Sequence, residues 1–362
     1  MNLTYAFYLA LVAVLCSACG GGDKSASSST SLQNAAPTPA QTQTPAAAPA
    51  PTVKKPKVSP KLDMALIKGY FGSEPSAPKV DTKSTVEQVA LGKMLYHDAS
   101  LSKNGNVSCA SCHDLADYGQ DGRQTSPGSD GKNGERNSPT TLNAFRQIAQ
   151  FRDGRADTVE AQAILQVLNP SEHGITDDAE LLQKIGAKQE LVAAFGQAFP
   201  GEGSVSIDNF KNAIGAFERT LVTRSPFDDF LDGSANALTT EQKIGLKLFI
   251  DVGCTQCHTS RLVGGNLYQK LGLLRPYPTE DTGRMRVTKS EADKYLFKVP
   301  SLLNVAETAP YYHDGKMATL AEAVKNMAAI QLNKDLSADE VLVMVAFLKS
   351  LTGTVPAEAL KK

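Results

Sequence analysis

Two Cys-x-x-Cys-His runs, Cys109-Ala110-Ser111-Cys112-His113 and Cys254-Thr255-Gln256-Cys257-His258, start 145 residues apart. Two thiols at this spacing can bond the two vinyl groups of a haem, and the adjacent imidazole can place a nitrogen on its iron. A zinc site would need two further ligands near each pair. The only other histidines are His97, His173 and His313, and beyond position 19 there is no further cysteine. A redox dithiol would explain neither the histidine after each pair nor the duplication. The motifs therefore predict two covalent c-type haems. Cys109, Cys112, Cys254 and Cys257 are the expected attachment points, and His113 and His258 the axial ligands.

The remaining two cysteines, Cys16 and Cys19, close an apolar run over residues 3–15. That run is too short for a stable spanning helix and resembles the core of a signal peptide. Ser17-Ala18-Cys19 followed by glycines resembles a lipoprotein processing site. Residues 1–19 are expected to be the leader, with Cys19 as a lipid anchor; ordinary cleavage is the alternative. Because c-type haem is attached outside the cytoplasm, the expected location is the periplasm, tethered to a membrane. Residues 20–60 are dominated by Ala, Pro, Ser, Thr and Gln and read as a linker without a core. The formal net charge of −1 gives no electrostatic case for nucleic acid as a partner.

The elements that must position the haems read as helices. Residues 85–95 place Val86, Val89, Ala90 and Met94 on one face. Phe210, Ile214 and Phe217 repeat at spacings of four and three, and residues 240–249 lead directly into the second motif. Residues 320–327 and 338–351 are the expected closing helices, with Ser337 to Glu340 a capping box. Between them lie Gly/Asn/Asp/Pro-rich stretches at 119–139 and 264–286. The expected fold is mostly α: two cytochrome-c-like haem domains with long irregular loops, over 61–236 and 237–362.

From residue 62 onwards the chain resembles the bacterial dihaem cytochrome c peroxidases. The runs that carry the resemblance are Leu91-Gly92-Lys93-Met94-Leu95-Tyr96, Arg136-Asn137-Ser138-Pro139-Thr140, Asp153-Gly154-Arg155-Ala156, Asn169-Pro170-x-Glu172, Phe217-Glu218-Arg219-Thr220-Leu221, Phe297-Lys298-Val299-Pro300-Ser301-Leu302 and Thr308-Ala309-Pro310-Tyr311-Tyr312-His313-Asp314-Gly315. The resemblance implies a peroxide-reducing N-terminal haem on His113, with Glu172 and Gln162 on its distal side. It implies an electron-transferring C-terminal haem on His258, with Met327 as second axial ligand. A thioether there raises the potential and leaves no open position on the iron. It further implies hydrogen peroxide as substrate and a small cytochrome c or cupredoxin as donor. A homodimer is common in the family, as is a calcium ion held by Asn137 and the backbone oxygens of Thr308 and Pro310.

Four positions depart from the family pattern. Ser129 stands where many relatives carry a removable distal histidine. Arg152 stands where an aromatic residue lies between the haems, and the chain has no Trp at all. Arg152 could instead pair with a haem propionate. Gln166 replaces a distal proline. His173 follows Glu172 where methionine is usual, and can be an iron ligand, a proton relay or an exposed turn residue. An alternative function is therefore a dihaem electron-transfer or redox-relay lipoprotein whose first iron is blocked. The relatives that oxidise protein side chains carry Tyr in place of Met327 and use the inter-haem Trp, so both features speak against that activity.

Overall fold

The computed structural model describes residues 60–72, 84–201 and 203–361. The expected leader, the Cys19 anchor and residues 20–59 of the linker lie outside these. The described helices are α1 (Met64–Phe71), α2 (Val86–His97), α3 (Cys109–Cys112), α4 (Val159–Val167), α5 (Asp178–Gly186), α6 (Gln189–Ala198), α7 (Ile207–Glu218), α8 (Pro226–Leu231), α9 (Thr240–Val252), α10 (Met285–Thr288), α11 (Leu320–Leu332), α12 (Ala338–Lys349) and α13 (Ala357–Leu360). Two three-residue strands, β1 (Tyr268–Lys270) and β2 (Leu296–Lys298), pair antiparallel with Gln269 opposite Phe297. Side chains set the helix starts: Thr85, Thr239, Thr319 and Ser337 each form a capping box with the residue three later.

One packing unit occurs twice. In the first, α2 crosses α7 at Gly92, where an added Cβ would sit 1.9 Å from the Ala213 carbonyl oxygen. In the second, α9 crosses α12 at Gly245, where it would sit 1.9 Å from the Val343 carbonyl oxygen. Four residues after each glycine, an aromatic ring meets another edge-on: Tyr96 on Phe217 and Phe249 on Phe347, both with centroids 5.2 Å apart. Only glycine lets the two backbones approach this closely. Gly92→Ala is expected to cost ~1–3 kcal/mol or more through overpacking, measurable as a lower denaturation midpoint.

That close approach also corrects the expected face of α2. Leu91, Gly92, Leu95 and Tyr96 are buried, whereas Val86 is 80% and Met94 40% exposed. The glycine decides which side α7 can reach, and apolar periodicity alone selected the other side. On α7 the expected residues Phe210, Ile214 and Phe217 are buried.

Two hydrophobic cores result. Leu91, Leu95, Tyr96, Leu181, Phe195 and Phe217 centre the first, and Phe227, Leu246, Phe249, Met344 and Phe347 the second. Packing crosses the 236/237 division at both ends of the chain. Ile67 and Phe71 of α1 belong to the second core, and Val355 and Ala359 to the first. Both cores lie within one compact unit, to which all the described residues belong. The polar stretch 119–139 is tied across, with the Asn137 amide donating to the His313 carbonyl at 2.8 Å.

Candidate functional site

Each Cys-x-x-Cys-His run lines a cavity. The first, of about 490 Å³, is bounded by Cys109, Cys112, His113, Gln162, Glu172 and His173. The second, of about 270 Å³, is bounded by Cys254, Cys257, His258 and Met327, and Thr308 and Pro310 lie on its wall. Asn137 and Arg152 line both.

The proximal sides are built alike. Short α3 carries Cys109 and Cys112, and the His113 amide closes it onto the Cys109 carbonyl at 2.9 Å. The His113 Nδ1 lies 3.2 Å from the Gly119 carbonyl, and the His258 Nδ1 lies 3.1 Å from the Val263 carbonyl. Each carbonyl can only accept, so Nδ1 carries the proton and Nε2 keeps its lone pair for a metal. Burial holds both imidazoles below their usual range, His258 at about 4, so both are neutral. All four thiols are free, and burial pushes Cys112 up to about 11. Paired neutral thiols beside a lone-pair imidazole in an enclosed space fit covalent haem in both cavities. Tyr96 donates to the His113 carbonyl at 2.6 Å, which couples the first core to the site.

Also on the wall of the first cavity, α4 presents Gln162 and Gln166 one turn apart. A turn built on Asn169 presents Glu172 and His173. The Asn169 carbonyl accepts from the Glu172 and Gly174 amides at 3.0 and 2.9 Å, and its Nδ2 donates to Glu172 Oε1 at 2.8 Å. Burial raises the Glu172 carboxyl to about 7, against the opposing pull of Arg155 and Asn169. His173 is only 6% exposed, which removes the reading of it as an exposed turn residue. Its Nδ1 is buried with no hydrogen-bond partner among the described residues. Burial, aided by His113, lowers it to about 4, so the ring is neutral.

Ser129 does not line the cavity and is 3% exposed. Its amide donates to the Glu172 carbonyl at 2.7 Å. Its Oγ accepts from the Asn104 amide at 2.9 Å and donates to Asn106 Oδ1 at 2.8 Å. Both asparagine side chains also donate to its carbonyl. At neighbouring Gly128 a Cβ would lie 2.3 Å from the Ser171 carbonyl oxygen. The loop that could gate the iron is thus pinned to the turn that carries Glu172.

Several contributors carried no assigned role in the sequence reading. Asn169 stood within a recognised run, but its carboxylate contact depends on the turn. Lys298 is 8% exposed and donates from Nζ to Gln147 Oε1. Glu218 lines the first cavity, and burial pushes its carboxyl up to about 8. Nothing local in sequence marks either as buried. The expected calcium ligand Asn137 has its Oδ1 occupied: Arg152 donates to it at 2.9 Å.

A mostly helical chain with two such cavities belongs to the class of dihaem c-type cytochromes. A family model described as di-haem cytochrome c peroxidase matches residues 86–236. The chain is 45% identical over 289 residues to the cytochrome c551 peroxidase of Nitrosomonas europaea, covering 78% of this chain and 86% of that one. It is 44% identical over 277 residues to the cytochrome c551 peroxidase of Pseudomonas aeruginosa, covering 75% and 80%. The structure of a MauG-like protein associated with microbial copper homeostasis superposes with a TM-score of 0.70 at 28% identity, over 80% of this chain and 96% of that one. The chain belongs to the dihaem cytochrome c peroxidase family, whose two haems are of the c type.

Proposed function

We propose that the chain reduces hydrogen peroxide to two waters at the first cavity, using two protons and two electrons. The electrons arrive singly from a small cytochrome c or cupredoxin through the second cavity. The observation that carries this reading is a buried carboxyl tuned to about neutrality, Glu172, lining the same cavity as Cys109, Cys112 and His113. Those three residues would hold the first haem, and Cys254, Cys257, His258 and Met327 the second. Bound haem supplies the redox equivalents and an electrophilic iron for the peroxide oxygen.

The chain supplies the proton chemistry. Asn169 holds Glu172 Oε1, so Oε2 is the atom that takes a proton from peroxide and delivers it to the departing oxygen. A carboxyl with a pKa near the working pH does both without a large penalty. The Gln162 amide orients the substrate from α4. Met327, which lines the second cavity, would be the second residue to hold the haem iron there and would leave the centre to electron transfer. Met327→His is expected to lower the midpoint potential of one haem while leaving the other unchanged, as a redox titration would read. An unshifted potential would remove Met327 from the ligand set.

A second reading is carried by the unpartnered Nδ1 of His173. A neutral imidazole at the cavity wall can ligate the first iron and convert the chain into an electron relay. Steady-state peroxide consumption by the haem-loaded protein with a reduced small cytochrome decides between them. Turnover supports the enzyme, and its absence, with both haems present, supports the relay. The proposed setting is the periplasm, with Cys19 as a lipid anchor and a homodimer as the assembly.

A further inference from the structure

Two cations stand without an ion-pair partner among the described residues: Arg152 on the wall shared by the cavities, and Lys298 on the wall of the second. Arg152 donates from one terminal nitrogen to Asn137 Oδ1 at 2.9 Å and to the Asn137 carbonyl at 3.5 Å. Its Nε is buried with no hydrogen-bond partner among the described residues. Lys298, 8% exposed, donates from Nζ to the Gln147 amide oxygen and to no other described residue, while its backbone amide donates to the Arg152 carbonyl at 2.8 Å. The contrast with nearby Arg136 is direct, since that guanidinium is held by both Asp153 and Asp281. Asp314, the carboxylate that favours the Arg152 charge, is engaged by the Tyr277 hydroxyl and Lys316.

Buried charges are costly unless paired. Burial and mutual repulsion push Lys298 down to about 7, and burial with Arg136 pushes Arg152 down to about 10. Arg152 nevertheless stays charged at neutral pH, so the wall needs an anion. Haem propionates are carboxylates that either cavity's occupant would carry, and a guanidinium fork is suited to receive such a group.

The same wall does not fit calcium. Such an ion takes about six to eight oxygens, usually with carboxylates among them. Here the Asn137 amide is oriented by its Nδ2 donating to the Arg123 carbonyl at 3.0 Å, which turns Oδ1 to Arg152. The other expected donors, at Thr308 and Pro310, are uncharged carbonyls. A divalent ion would have to share its ligand with a fixed guanidinium.

We propose that the Arg152 guanidinium is the built-in cation between the two haems, taking the Asn137 oxygen that a calcium ion would need and, together with Lys298, binding haem propionates. The proposal rests on the dihaem reading above. It gives the chain a calcium-independent joint and a permanent positive charge that favours the reduced haems.

Two measurements on the holoprotein test it. The first is calorimetric titration of calcium chloride into chelator-treated protein. No saturable uptake is expected. Stoichiometric uptake that Asn137→Ala abolishes would overturn the replacement of calcium. The second is a redox titration of wild type, Arg152→Gln and Arg152→Lys, with haem counted as the pyridine complex. Arg152→Gln should lower at least one midpoint potential and Arg152→Lys should recover part of the loss. Two loaded haems with unchanged potentials would overturn the propionate contact. If Arg152→Gln fails to load haem, Lys298→Met with its predicted downward shift takes its place, and an unshifted potential there overturns the contact equally. Fewer than two haems in the wild type would instead sink the dihaem reading itself.

Discussion

Glu172→Gln is expected to cut peroxide turnover by ~10²–10⁴-fold, the usual worth of a positioned proton-transfer group. Haem content should be unchanged, because Glu172 sits on the Asn169 turn and takes no part in attachment. The substitution keeps the contact with Asn169 Nδ2 and removes only the titratable proton. The pH profile gives a second reading of the same variant. Burial raises the carboxyl to about 7, so the base form that accepts the first proton is depleted below that pH. Wild-type kcat/KM should therefore fall on the acid side of about pH 7, and Glu172→Gln should lose that limb. Unchanged turnover, or an acid limb that survives the substitution, would exclude Glu172 from the proton transfer.

Peroxide should react with the fully oxidised protein without prior reduction. The resemblance implies that relatives with a removable distal histidine at the position of Ser129 use it as the gate. Here Ser129 supplies no ligand, and its backbone and hydroxyl are consumed by Asn104, Asn106 and Glu172. The loop has little freedom to swing, because Gly128 abuts the Ser171 carbonyl. Optical and EPR spectra of the oxidised protein, before and after one equivalent of peroxide, check this. The expected result is a high-spin ferric signal that changes on mixing. Two low-spin haems that ignore peroxide until one electron is added would overturn it. His173 would then be the ligand to remove, and His173→Ala should restore the reaction.

The chain by itself determined the chemistry that depends on covalent spacing. A Cys-x-x-Cys-His run names its cofactor because both thiols and the imidazole lie within one turn of backbone, so no tertiary information is needed. The same holds for capping boxes at Thr239 and Ser337, which are local pairs. The mostly helical class, the α7 core face and the collinear runs that mark the family were legible on the same grounds. The buried face of α2 was not. Its apolar residues occupy both sides, and the choice fell to a backbone approach at Gly92 that only α7, more than a hundred residues later, defines.

Environment was decided by the tertiary structure alone. No residue near Glu172 in sequence announces that its carboxyl is buried against a cavity, or that Asn169 pins one oxygen. His173 read as an iron ligand, a proton relay or, by the usual habit of a lone histidine, an exposed turn residue until its side chain was placed inside. Lys298 read as an ordinary cation, since lysine is mostly exposed, and Arg152 only as a possible propionate partner at a departure from the family pattern. What sets them apart is the absence of an acidic partner within reach among the described residues, and such a deficit exists only after the chain has folded. Covalent pattern is written along one dimension, whereas desolvation and charge balance are sums over neighbours that the fold brings together.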